Sequence, residues 1–185
     1  MFNVLAISGS LRSQSYNTAL LNTLKKRAPS DWSVDLCIPK HFPVYDEDLQ
    51  TQQWPEVVLE LERRIRNADC VVISTPEYNY SIPGGLKNVI DWISRRPQQP
   101  FKNKQVGIMG VSSGRMGAIR AQLHLRQCFQ FLESHVISRP EVLIGNASTT
   151  FSNQELTEPS AIAALDALIQ AIEQRRTTEP SHTHG

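Results

Sequence analysis

The run SGSLRSQSYNT, Ser8–Thr18, sets one cation among hydroxyls at the end of an apolar segment. Ser10, Ser13, Ser15 and Thr18 offer hydroxyl groups and Asn17 an amide, while Arg12 brings a planar fork matched to phosphate oxygens. If a helix begins here, its unpaired N–H groups and partial positive charge favour an anion, and phosphate is the natural guest. The alternative is a polar turn in which Ser15 or Asn17 simply caps the helix. The chain has no G-x-x-x-x-G-K-[ST] and no G-x-G-x-x-G after this segment, which excludes a P-loop and the dinucleotide fingerprint. A hydroxyl-rich loop suits a terminal monophosphate better than a pyrophosphate pressed against backbone.

Two further segments carry unusual composition. In TPEYNYSIPGGLKNVIDW, Thr75–Trp92, Pro76 and Pro83 stiffen the chain, and Gly84 and Gly85 allow a close approach or a sharp turn. Tyr78 and Tyr80 offer flat faces with polar tips, and Asn79 both donates and accepts, which suits the heteroatoms of a ring system. A turn whose tyrosines pack on the next helix is the competing reading. Lys87 and Asp91 stand four apart and fit a surface ion pair. In VSSGRMGAIR, Val111–Arg120, Ser112 and Ser113 follow an apolar run. Gly114 and Gly117 leave room above a ring, and Arg115 and Arg120 add positive charge for an anionic cosubstrate. An ordinary glycine-containing loop explains the same residues.

These loops need a frame. Apolar runs rich in Val and Ile recur at Asn3–Ser8, Val34–Ile38, Cys70–Thr75, Val106–Ser112 and Val142–Gly145, as expected of strands covered on both faces. Helical stripes alternate with them: Leu20, Leu21 and Leu24; Val58, Leu61 and Ile65; Leu86, Val89, Ile90 and Ile93; Leu125, Cys128, Phe129 and Leu132; and Ile162 to Ile172. The βαβ alternation predicts an α/β three-layer sandwich, with a five-stranded parallel sheet in the flavodoxin-like order 2-1-3-4-5 and helices on both faces; the Rossmann order is the alternative, though it usually needs a sixth strand. Ligands of such sheets bind beyond the carboxyl ends of the strands where the order reverses, which is where the three loops fall. One domain over residues 1–176 is expected, followed by a flexible tail over 177–185.

The bulk numbers exclude several classes. With 185 residues, 40% hydrophobic and 20% charged, the chain is long enough for one sizeable core. A net charge of +1 gives no field to recruit nucleic acid or an acidic membrane, and no apolar run approaches the length of a membrane helix. Met1 leads directly into a strand pattern, so no signal peptide is expected. Cys37, Cys70 and Cys128 sit in apolar patterns, an odd count that favours reduced, buried thiols and a cytoplasmic home. The histidines lack ligand spacing, so no metal site is expected; His182 and His184 lie in the tail.

The segments GSLRSQSYN, PEYNYSIPGGLKNVIDW and SSGRMGAIRAQLHLRQ together resemble the signature segments of the NADPH-dependent FMN reductases, over roughly residues 2 to 145. The resemblance is strongest to the chromate-, quinone- and azo-reducing members. It implies bound FMN, NADPH or NADH as cosubstrate, and a homodimer or homotetramer with the flavin near the subunit interface. By position, Ser10, Arg12, Ser15, Asn17 and Thr18 would hold the phosphate. Pro76, Glu77, Tyr78 and Asn79 would line the ring and ribityl side, and Ser112, Ser113 and Gly114 would complete the pocket. Leu123 stands where some members carry a tyrosine, and fewer glycines follow Gly114. The implied reaction is ping-pong: hydride passes from the nicotinamide to FMN, then two electrons pass to a quinone, azo compound, chromate or free flavin. No catalytic side chain is required, and Arg115 is a candidate contact for a 2′-phosphate. A flavodoxin-type electron carrier without its own NAD(P)H turnover is the alternative; such carriers tend to be acidic, and this chain is near neutral.

Overall fold

In the computed structural model, residues 1–178 are described. β1 (Phe2–Ser8) leads to α1 (Tyr16–Arg27), β2 (Trp32–Cys37), α2 (Glu47–Gln52), α3 (Glu56–Asn67), β3 (Cys70–Ser74) and α4 (Gly84–Ser94). β4 (Gln105–Val111), α5 (Ile119–Phe131), β5 (His135–Val136), β6 (Val142–Ile144), α6 (Ala147–Thr150), a β7–β8 hairpin (Phe151–Ser152, Glu155–Leu156) and α7 (Pro159–Thr178) follow. Thr177 and Thr178 still belong to α7, and the rest of the expected tail, with His182 and His184, lies outside the described residues.

The strands are parallel in the order β2-β1-β3-β4-β5, with β6 also paired to β4. This is the expected flavodoxin-like order. Its fifth position differs in detail, being two short strands rather than one. β5 pairs His135 and Val136 with Gln105 and Val106, and β6 pairs Val142 to Ile144 with Met109 to Val111. Pro140 lies between them and has no N–H to give a ladder, so the strand breaks there.

Side-chain alternation decides which helices cover which face. Val4, Ala6, Val72, Met109 and Val111 point to α1 and α7, where Leu20, Leu21, Leu24, Leu165, Leu168 and Ile172 meet them. Leu5, Ile7, Val71, Ile73 and Ile108 point to the other face, against α3, α4 and α5 with Ile65, Trp92, Ile93 and Phe129. The three central strands β1, β3 and β4 are buried along nearly their whole length, which is why they read as unbroken apolar runs. β2 is an edge strand, and its Ser33 and Asp35 alternate outward. In register, Ser8 pairs with Ser74 and Ser74 with Met109, so the strand ends stand level and present their loops side by side.

One glycine fixes how the third loop leaves the sheet. Gly117 has φ +58°, and a Cβ there would meet Leu143 Cα and Ile144 N at 2.6 Å. The loop after β4 therefore crosses directly over β6, where only glycine fits.

Candidate functional site

The first loop is built from the inside out. Ser8 Oγ donates to Ser10 O at 3.0 Å and accepts from Ser10 N at 3.3 Å, closing a tight turn at the end of β1. With its one proton used, Ser8 Oγ takes the proton of Thr18, whose Oγ1 lies 2.9 Å away. Ser15 is the N-cap of α1: its hydroxyl oxygen accepts from the N–H groups of Asn17 (3.2 Å) and Thr18 (3.4 Å), which leaves its own proton to give.

Asn17 is 3% exposed and turned inward. Its Oδ1 accepts from Val111 N at 3.0 Å and Ser74 Oγ at 2.8 Å, and its Nδ2 donates to Val111 O at 3.1 Å. The amide thus docks on Val111 as a neighbouring strand residue would. It bolts the start of α1 to the ends of β3 and β4.

The second loop makes a tight reversal. Tyr78 and Ser81 exchange N–H···O bonds of 3.0 Å in both directions, and the two residues between them, Asn79 and Tyr80, hold φ of 50° and 64°. Before the turn, Glu77 reaches α5. Its Oε2 accepts from Arg120 N at 2.9 Å and its Oε1 from Arg120 Nη1 at 2.8 Å. α5 has no cap of its own, since Ala118 before it is left-handed and lacks a polar side chain, so Glu77 supplies the missing acceptor and a favourable charge at that helix end. In the third loop, Ser112 Oγ donates to Gly114 O at 2.9 Å and accepts from Gly117 N at 3.0 Å, while Ser113 is exposed.

A single cleft of about 200 Å³ opens over the three strand ends. Ser10, Arg12, Ser15 and Asn17 line it from the first loop, Pro76, Glu77 and Tyr78 from the second, and Ser112 and Ser113 from the third. Of the expected residues, Thr18, Asn79 and Gly114 do not line it. Thr18 is buried behind Ser8, Asn79 sits at the exposed turn, and Gly114 is exposed nearby. Tyr16, Val111 and Ala147 line it without having been expected. Tyr16 had a discernible signal as the first helical residue after the cap, whereas Ala147 had none. Arg115 lines a neighbouring cleft of about 330 Å³ with Asn146, Thr149 and Glu158. Arg120 is committed to Glu77, and Lys87 pairs with Asp91 at 2.6 Å, as the spacing suggested.

The two charged residues of the cleft are held differently. Arg12 is exposed and makes no ion pair or side-chain hydrogen bond among the described residues. Partial burial pushes the Glu77 carboxyl up, but the Arg120 guanidinium and the N–H groups of Arg120 and Ala121 outweigh it and hold it below the usual carboxylate range. Because the folded value is lowered, this stabilisation is complete above the unfolded value of about 4.3 and is lost as pH falls through the folded one. Glu77→Gln should therefore lower stability at neutral pH by about 1–2 kcal/mol. Its urea midpoint should converge with that of the wild type in acid, and equal midpoints at neutral pH would show that the carboxylate contributes nothing.

The thiols offer no nucleophile. Burial pushes Cys70 up to about 12 and raises Cys37 and Cys128 as well. Cys128 is only half-buried, on a groove between α4 and α5, rather than in the core as expected. Among the described residues no helix is long and apolar enough to cross a membrane.

These residues fit FMN. The free guanidinium of Arg12, the hydroxyls of Ser10 and Ser15 and half-exposed Tyr78 line one cleft. A Cβ on Gly114, next to cleft-lining Ser113, would meet no protein atom within 4 Å, so the space there is open.

Comparison with known proteins agrees. Residues 2–149 match the family described as NADPH-dependent FMN reductase. An NAD(P)H-dependent FMN reductase of Pseudomonas aeruginosa is 44% identical over 171 residues, 92% of each chain. A quinone reductase of Escherichia coli K12 is 47% identical over 145 residues, 77% of each. The solved structure of FerB, a flavoenzyme NAD(P)H:(acceptor) oxidoreductase of Paracoccus denitrificans, superposes with a TM-score of 0.83 at 33% identity, covering 94% of this chain and 98% of that one. With the sheet order, the cleft at its switch point and these relatives in accord, the chain belongs to the NADPH-dependent FMN reductase family of FMN-dependent oxidoreductases.

Proposed function

We propose that the chain is an NAD(P)H:quinone reductase that holds FMN in the cleft above β1, β3 and β4. The net reaction is NAD(P)H plus quinone plus a proton from water giving NAD(P)⁺ and hydroquinone. Bound FMN would supply hydride-accepting, two-electron chemistry at its N5, which no side chain of the cleft possesses. The observation that carries this reading is the presence, in one cleft, of the unpartnered Arg12, the Ser10 and Ser15 hydroxyls and the flat ring of Tyr78.

Each residue has a task that follows from its surroundings. Arg12 and the protons of Ser10 and Ser15 neutralise and orient the phosphate. Pro76 and Tyr78 exclude water from one side of the ring, and the exposed Ser113–Gly114 backbone supplies N–H donors where negative charge grows on reduction. Asn17, Thr18 and Ser112 act from behind, holding these groups in place. Arg115, exposed on the adjoining cleft and without a side-chain hydrogen bond or ion pair among the described residues, is the residue assigned to a cosubstrate 2′-phosphate. Half-exposed Tyr78 lines the site, and Met116, Leu123 and Tyr80 are further large apolar side chains left exposed. Their exposure supports a homodimer or homotetramer whose subunits cover them.

The test is anaerobic stopped-flow mixing of FMN-reconstituted protein with NADPH and, separately, NADH, followed by benzoquinone. Loss of the flavin band on the first mixing and its return on the second are expected, with parallel-line steady-state kinetics. A band that stays oxidised with both nicotinamides would leave an electron carrier, and protein that takes up no FMN would overturn the reading altogether.

A further inference from the structure

Arg120, the second residue of α5, does more than pair with Glu77. Its Cζ stands 3.9 Å from the centre of the Tyr80 ring. Tyr80 is 67% exposed and holds a left-handed backbone, directly after Asn79, which does the same. A bulky residue in that region is strained and persists only where its surroundings hold it. Burial within the chain does not hold it, because the ring is largely exposed there. The guanidinium face on one side and the Tyr78–Ser81 bonds on the other are what grip it. One turn further along α5, His124 Nδ1 lies 2.9 Å from Ser81 Oγ. Residues 120 and 124 share a helix face, so that one face grips the chain at Glu77, Tyr80 and Ser81.

We propose that Arg120 is a positioning residue: it fixes the Tyr78–Ser81 turn against α5, so that Tyr78 stands as a preformed wall at the ring end of the cleft. The consequence for catalysis rests on the FMN reading above; the clamp itself does not. Preformation cuts the ordering cost of binding, so loss of the clamp weakens the cofactor without removing any group that touches it.

Arg120→Ala keeps the backbone N–H that donates to Glu77 and removes the guanidinium, and with it both the Tyr80 contact and the Glu77 Oε1 pair. In the apoprotein, hydrogen exchange at the Tyr78 and Ser81 amides should quicken about tenfold while core amides of β3 and β4 keep their protection. FMN should bind about tenfold more weakly, with a Lys substitution at 120 intermediate because it keeps charge but loses the flat fork. Tyr80→Phe should behave as wild type, and Tyr80→Leu should loosen the turn less than Arg120→Ala because it leaves the Glu77 pair in place. The double variant should be no worse than Arg120→Ala alone, because the Tyr80 contact is already lost there. Turn amides that stay protected in both Arg120→Ala and Tyr80→Leu overturn the proposal, and so does a raised KM for NADPH with exchange unchanged, which would make Arg120 a cosubstrate ligand. Uniform loss of protection across β3 and β4 would make it merely structural and also overturns it. If the wild type binds no FMN while the turn still loosens in the variants, the clamp stands and the FMN reading fails.

Discussion

Arg12→Ala should weaken FMN retention about 100-fold and leave the unfolding midpoint of the apoprotein unchanged. A hydrogen bond involving a charged group contributes about 1.5–3 kcal/mol, and a bidentate fork makes two, of which partial exposure screens a share. A net loss near 2.7 kcal/mol is the stated factor. Stability is untouched because Arg12 is exposed and has no side-chain partner among the described residues, so truncation orphans no protein group. Fluorescence titration of apoprotein with FMN measures the effect, and riboflavin is the control. Lacking the phosphate, riboflavin should bind wild type and variant equally. An FMN affinity that survives the substitution, or a riboflavin affinity that falls with it, would move Arg12 away from the phosphate. Raised salt should narrow the difference between the proteins for FMN.

The size of that effect also shows why the ring end matters. Four charge-assisted bonds at the phosphate give roughly 6–12 kcal/mol, against an association cost of about 4–15. The two nearly cancel, so tight retention depends on burying the tricycle against Tyr78 and the third loop. In a single chain Tyr78, which lines the cleft, is half-exposed, and Tyr80, Met116 and Leu123 are exposed as well. A second subunit would raise FMN affinity by covering apolar ring surface rather than by adding polar contacts.

The sequence was most legible where burial is symmetrical. β1, β3 and β4 announce themselves because both faces are covered, and α1, α3, α4 and α5 because one face is. Pieces escaped where packing gives no pattern. β5 is two residues, His135 and Val136, with neither a run nor an alternation. α2 has no buried residue to reveal a stripe, and its sole signal is the capping Asp46. The β7–β8 hairpin turns on Asn153–Gln154, both at positive φ, without the glycine that usually marks such a turn. At the site, composition located the loops but did not divide the labour within them. Polar residues at strand ends must satisfy the buried ends of the sheet as well as a ligand, and residue type alone does not say which. Ser15 does both. Thr18 and Asn17 face the sheet, and Glu77 faces α5 while also bordering the cleft.

Asn17 therefore gives the sharpest test of the fold and the site together. Asn17→Leu nearly conserves volume but deprives Val111 N–H, Val111 C=O and Ser74 Oγ of their partner at once. A buried polar group left unpaired costs about 1–3 kcal/mol; Ser74 is free to rotate its hydroxyl, so a total of about 3–5 kcal/mol is expected. Urea denaturation of the apoprotein measures it, and FMN retention should fall as well, because Ser15 and Arg12 lose their anchor to β4. Asn17→Asp separates the donor from the acceptor role. It keeps Oδ1 but sets a second oxygen against Val111 O, so burial and that carbonyl should raise the carboxyl above its unfolded value of about 3.9. A raised folded value stabilises at low pH and is lost as pH rises through it. The aspartate variant should thus gain on the wild type as the solution is acidified, because the protonated carboxyl regains a donor for Val111 O. A leucine variant as stable as wild type, or an aspartate variant that loses ground in acid, would mean that the amide faces the phosphate rather than the sheet.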